Sequence, residues 1–175
     1  LILENVRGVG YHAWAGNNKL LLFLLGDPYL LVLANTDTGD TSGVAENVGR
    51  SLLTIPIALA DSAPTKAPDV SFLHIEGSSR TIKSIDPTSE RVTSLAPAPD
   101  GSEDFAWTPD HRLLTAQGLV LSEWNPGEKH WETLAALGGK VPGKITRLAV
   151  SPDGKWLALV AEEKAAPQST QSSDH

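Results

Sequence analysis

Six side chains stand where they could act together, namely Tyr11, His12, Arg50, Glu103, Asp104 and Arg147. They precede, by similar distances, places where the chain restarts the same local plan. Two arginines beside two carboxylates have two chemical uses. An Arg fork grips a carboxylate, so the group could bind a charged ligand or a peptide terminus. The same charges could instead pair with one another between neighbouring structural units. Acid–base catalysis fits poorly, because Glu103 and Asp104 are adjacent and adjacent strand residues point to opposite faces. His12, His74, His111 and His130 lack a metal-ligand spacing such as His-x-x-x-His. Ser51 and Ser102 lack the Gly-x-Ser-x-Gly elbow of a nucleophile, and Gly8-Val9-Gly10 lacks the third glycine of a nucleotide fingerprint. The six are therefore binding candidates, with no catalytic residue, metal or cofactor expected.

The elements that must position them are set by a repeat. Ala13-Trp14-Ala15-Gly16-Asn17-Asn18-Lys19-Leu20 aligns with Ala106-Trp107-Thr108-Pro109-Asp110-His111-Arg112-Leu113. It aligns again with Ala149-Val150-Ser151-Pro152-Asp153-Gly154-Lys155-Trp156-Leu157. Ala106 and Ala149 are 43 residues apart, and Ala13 and Ala106 are 93 apart, close to twice that. A repeat of about 40–50 residues with a turn between apolar runs is the length of a β-propeller blade. Proline fixes φ in these turns, Asp accepts from the backbone, and glycine permits positive φ, so Pro-Asp-Gly reads as structural. Trp14, Trp107 and Trp156 lie within or beside the turns and are expected to pack between blades; sugar stacking is the alternative.

Short strands and turns fill the rest. Leu20 to Leu25, bounded by Asn17-Asn18 and Gly26-Asp27-Pro28, suits a buried strand. Tyr29 to Ala34 follows, then the turn Asn35-Thr36-Asp37-Thr38-Gly39. Ile82 to Ile85 before Asp86-Pro87-Thr88-Ser89-Glu90, and Leu119 to Trp124 before Asn125-Pro126-Gly127, repeat that plan. Glu132 to Leu137 is the best helix candidate, and it is short. The expected blades are Tyr11 to Asn35 with Val44 to Val48, then Arg50 to Leu95, then Asp104 to Leu137. Ile145 to Glu162 supplies only two strands. Leu1 to Val6 reads as the outer strand of an earlier blade, and Ala58 to Asp69 as a long exposed loop. Residues 1–163 thus form a partial propeller, all-β, of four-stranded antiparallel blades: three full blades and partial ones. Residues 164–175 hold too few apolar side chains to bury and form a disordered tail.

Bulk properties narrow the partners. The chain has 175 residues, 41% hydrophobic and 20% charged, enough for a real core. Its net charge of −7 and lack of a basic run argue against nucleic acid, whose phosphates need clustered Lys or Arg. With no cysteine there is no disulfide or thiolate chemistry. The apolar run Leu20 to Leu25 is far short of a membrane span of about 20 residues. The chain starts at Leu1 and contains no methionine, which predicts a piece of a longer product whose export signal would lie upstream.

Ser151-Pro152-Asp153-Gly154-Lys155-Trp156-Leu157-Ala158 and Trp107-Thr108-Pro109-Asp110 resemble the repeats of TolB-like propellers of the bacterial cell envelope. Gly10 to Trp14, Asn47 to Leu52, Gly101 to Trp107 and Ile145 to Val150 resemble one group of secreted members. The resemblance runs from about Leu1 to Glu162. It implies six blades, the first of them absent here, and a periplasmic or secreted location; the full-length product is expected to be monomeric. Gly16-Asn17 replaces Pro-Asp in the first copy, the second unit lacks the phrase, and the N-terminal α/β domain of TolB has no counterpart here. The functions open at this point are a non-enzymatic scaffold for a protein, peptide or small charged ligand, and a propeller attached to a hydrolase such as a peptidase.

Overall fold

A computed structural model of the chain describes residues 3–16, 18–57, 67–102 and 104–163. Among them there is no helix, and the strands form three four-stranded antiparallel sheets and one two-stranded sheet. Blade one is β1 (Val9–Trp14), β2 (Lys19–Leu24), β3 (Leu30–Asn35) and β4 (Thr41–Glu46). Blade two is β5 (Val48–Thr54), β6 (Val70–Glu76), β7 (Ser79–Ile85) and β8 (Val92–Pro97). Blade three is β9 (Phe105–Trp107), β10 (Leu113–Gln117), β11 (Val120–Asn125) and β12 (His130–Ala136). The two-stranded sheet is β13 (Ile145–Val150) with β14 (Leu157–Ala161). Within each sheet the strands follow chain order, and β1, β5, β9 and β13 touch in succession. The sheets therefore fan out from their first strands, as propeller blades do.

One turn recurs in every full blade. Between third and fourth strands, Asn35, Asp86 and Asn125 each accept two backbone N–H groups on Oδ1, from Asp37 and Thr38, from Thr88 and Ser89, and from Gly127 and Glu128. These Asx turns bend the chain without help from a partner strand. Four residues on, Gly39, Glu90 and Lys129 all take positive φ, at 79°, 57° and 55°. The link between blades one and two is the single residue Asn47, at φ 52°; Asn tolerates this region better than most side chains.

The core lies between blades rather than inside any one of them. Leu21, Phe23 and Leu31 of blade one pack with Val48, Phe72 and Ile85 of blade two. Leu73 and Ile82 of blade two pack with Phe105 and Leu113 of blade three. Ala106, Leu114 and Leu121 of blade three pack with Leu148 of the half-blade. A sheet with two apolar faces buries both only by stacking, so each blade depends on its neighbours.

Several expectations are corrected. Leu3 to Val6 form a bend and turn, not a strand, and Leu1 and Ile2 lie outside the described residues. Glu132 to Leu137 is not helical: β12 pairs along β11, with Trp131 directly opposite Trp124 and ring centroids 5.4 Å apart. That aromatic pair is a cross-strand contact a helix would forfeit. Blade two begins at Val48 rather than Arg50. Trp14 and Trp156 are 51% and 73% exposed and do not fill inter-blade space. Trp107 does: its Nε1–H donates to Ser71 Oγ of blade two at 2.9 Å. The loop expected at Ala58 to Asp69 lies outside the described residues as far as Lys66, as does the tail 164–175.

Candidate functional site

The first strands share one register. Trp14, Thr54, Trp107 and Val150 are the last paired residues of β1, β5, β9 and β13. Counting three residues back places Tyr11, Ser51, Asp104 and Arg147 at one equivalent position. Three of these four join across blades. Ser51 Oγ donates to Asp104 Oδ1, and Arg147 Nη1 lies 3.8 Å from the same oxygen. The second carboxylate oxygen accepts the backbone N–H of Leu148 at 2.8 Å. Asp104 thus holds blade two, blade three and the half-blade together.

Local hydrogen bonds fix the backbone at Asp104. Its main-chain oxygen accepts from Thr115 Oγ1 at 2.9 Å, and Ser102 Oγ lies 3.3 Å from the same oxygen. The two hydroxyls lie 2.5 Å apart, and both residues are buried. Leu148 exposes its amide for a simple reason. Ser151 N–H bonds to Trp156 O at the hairpin, and antiparallel pairs alternate from there, so Leu148 opposite Leu159 is a non-hydrogen-bonded pair. Its N–H points away from β14, toward blade three, where Asp104 meets it.

The other candidates are placed apart from this knot. Arg50 is exposed, and Tyr11 and His12 are exposed on β1, where Tyr11 packs edge-on to Phe23 with centroids 5.4 Å apart. Glu103 lies outside the described residues. Ser51, Ser102 and Thr115 were not among the sequence candidates; aligning the first strands by their last paired residue would have found Ser51. Beside Asp104 is a cavity of about 50 Å³, lined also by Ala116, Lys144 and Thr146. It has room for a few waters and none for a metabolite.

The opposite mouth is different in character. There the first strands end, and a groove of about 300 Å³ is lined by Pro56, Ile57, Trp107, Pro109, Val150 and Pro152. Ile57 is 37% exposed, and Trp14 and Trp156 sit exposed in equivalent turns of the same mouth. The turns themselves are closed by polar bonds. Ser151 Oγ donates to Asp153 Oδ1 at 2.6 Å and accepts Trp156 N–H at 3.0 Å. The Ser151 hydroxyl and the Lys155 N–H hold the Asp153 carboxyl below its ordinary 3.8, and the Thr108 hydroxyl does the same for Asp110. Glu123, then Asp110, raise Arg112. Glu128, His130 and Glu132 cluster at an exposed turn, but their carboxylates face opposite ring nitrogens, Nδ1 at 3.5 Å and Nε2 at 3.8 Å. All three are exposed, and Glu132 also accepts the side-chain N–H of Asn125, as surface polar groups commonly do.

No protein-family model matches the chain, and no curated protein does. Solved structures do match its fold. A protein of unknown function from Bacteroides thetaiotaomicron superposes with a TM-score of 0.63 at 15% identity, covering 88% of this chain and 39% of that one. TolB from Acinetobacter baumannii, a β-propeller, superposes with a TM-score of 0.55 at 16% identity, covering 85% and 36%. The chain therefore has an all-β fold of propeller-like blades and spans somewhat over a third of the length of these relatives in structure. No helix of the described residues is long and apolar enough to cross a membrane.

Proposed function

We propose that the chain is a non-enzymatic interaction scaffold, part of a TolB-like propeller of about six blades in the bacterial periplasm or exported beyond it. Its contact surface is the apolar mouth bounded by Trp14, Ile57 and Trp156, and its partner is a protein or peptide. The observation that carries this reading is the contrast between the two mouths. At one, the carboxylate best placed for chemistry, Asp104, is occupied by Ser51, Leu148 and Arg147, with Ser51 only 4% exposed. At the other, Ile57, Trp107 and Val150 line a groove with proline walls, and Trp14 and Trp156 are exposed beside the equivalent turns of blade one and the half-blade. Exposed aromatic and apolar side chains around a concavity favour protein contacts. Arg50 keeps a second reading open, since an exposed Arg beside the charged mouth suits a carboxylate ligand.

Photo-reactive side chains placed at Ile57 and Trp156, in a bacterial envelope extract, test the proposal. Discrete adducts at both positions, absent from a control at Leu134 on β12, are the expected result. Equal labelling at all three positions would reject the apolar mouth as the contact surface.

A further inference from the structure

We propose that Asp100 is a spontaneous modification site, which converts to isoaspartate through a succinimide closed by the backbone nitrogen of Gly101, while Asp153 is protected by its hydrogen bonds. The sequence holds two Asp-Gly pairs, and both lie in the same tripeptide, Pro99-Asp100-Gly101 and Pro152-Asp153-Gly154. Glycine carries no side chain to shield its backbone nitrogen, so both pairs are open to ring closure in an unfolded chain. Local sequence gives the two sites similar reactivity, and only the fold can separate them.

Backbone conformation does not separate them, since φ is 72° at Gly101 and 70° at Gly154. Hydrogen bonding does. At the β13–β14 hairpin every reacting group is tied. The Gly154 N–H donates to Ser151 O at 2.9 Å. The Asp153 carboxylate accepts the Ser151 hydroxyl at 2.6 Å and the Lys155 N–H at 3.2 Å. That hydroxyl also holds Asp153 below its ordinary 3.8, so the neutral acid, the form that loses water, is rarer. Asp100 and Gly101 lie in the link between blades two and three, and both are exposed. Among the described residues nothing bonds the Asp100 carboxylate or the Gly101 N–H. A Cβ built on Gly101 would meet no atom beyond its chain neighbours within 4 Å. The turn is held by Ser102 N–H on Pro99 O and by Gln117 Nε2 on Asp100 O, bonds that use neither reacting group.

Ring closure joins the Gly101 nitrogen to the side-chain carboxyl carbon of Asp100. It releases one water, made from the carboxyl hydroxyl and the amide proton. Adjacent residues hold the two groups together, so the step is intramolecular. One water then opens the ring. Opening at the main-chain carbonyl leaves isoaspartate, with the backbone running through the side chain and longer by one methylene.

The folded chain, aged at physiological temperature and pH and then cut with trypsin, reports each site on its own peptide, Val92–Arg112 and Leu148–Lys155. Isoaspartate is read by electron-transfer fragmentation, and by methyl uptake from S-adenosylmethionine with a protein isoaspartyl methyltransferase. It should accumulate at Asp100 at least about tenfold faster than at Asp153, where hydrogen bonds must break before the ring can close. In urea the two rates should converge. Ser151→Ala should speed the reaction at Asp153 and leave Asp100 unchanged, with circular dichroism checking the fold. Equal rates in the folded chain overturn the proposal. So does an Asp100 that stays unmodified while the unfolded chain reacts at both sites, or an Asp153 that stays slow when unfolded.

Discussion

The carboxylate of Asp104 accepts the backbone N–H of Leu148 at 2.8 Å, a bond from the start of blade three into the next sheet. Its other oxygen takes the Ser51 hydroxyl from blade two. Asp104→Ala would remove the acceptor of the Leu148 N–H and one partner of the Ser51 hydroxyl in a partly buried seam. The expected cost is about 2 kcal/mol, since a buried donor that loses its acceptor pays its desolvation. Arg147→Ala should cost under about 1 kcal/mol, because its ion pair is 3.8 Å long and the arginine is 38% exposed. Urea titration of both variants checks the order. Equal losses would mean that the ion pair, not the backbone bond, joins the blades.

Trp107 and Trp156 separate in the same way. Trp107→Phe removes the indole N–H that reaches Ser71, a residue with no solvent exposure, and should cost about 1 kcal/mol. Trp156→Ala, at a position 73% exposed, should stay within about 0.5 kcal/mol. Thermal melts of the two variants give the comparison.

These pairs show where sequence reading reached and where it stopped. The strand-and-turn plan was legible because each Asx or Pro-Asp turn is a local device. Burial of a given tryptophan was not, because it depends on the neighbouring blade. Trp14 and Trp107 hold the same repeat position, yet Trp107 meets Ser71 of the preceding blade, while no described sheet lies on that side of β1. Trp156 takes the place of Arg112 in a solvent-facing turn. The charged mouth was half legible. Asp104 and Arg147 do meet, but Arg50 stands aside, and the hydroxyl of Ser51 occupies the equivalent position. A hydroxyl gives no charge signal in a sequence, and a backbone amide such as that of Leu148 gives no signal at all.

Gly49, within β5, is required by close approach and not by a positive φ. A Cβ there would sit 2.7 Å from Leu73 Cδ2 and 3.0 Å from Leu73 Cβ. Leu73 is 1% exposed and packed against Ile82 and Phe105, so it has little room to yield. Gly49→Ala should therefore destabilise by about 1–3 kcal/mol through overpacking. Gly77→Ala, where no atom lies within 4 Å, tests φ alone, at +59°. Chemical denaturation should rank the overpacked variant as the less stable; the reverse order would place the cost in backbone conformation.

The repeated turns carry a pH signature. Asp110 and Asp153 titrate below the ordinary 3.8 in the folded chain, held there first by the hydroxyls of Thr108 and Ser151 respectively. A depressed folded pKa means that the folded state binds fewer protons than the unfolded state. The stabilisation is fully present above the unfolded value near 3.8 and is lost as pH falls through the lowered folded values. Arg112, raised by Glu123, keeps its charge throughout this window and adds no titration of its own. The melting temperature of the parent chain should therefore fall below about pH 4. Asp110→Asn with Asp153→Asn keeps an acceptor at each turn but removes the charge and the titration. Its melting temperature should lie below the parent's at neutral pH and fall less steeply in acid, so that the two curves converge. Melts followed by circular dichroism from neutral to strongly acid solution decide it, and parallel curves would show that these turns do not set the acid response.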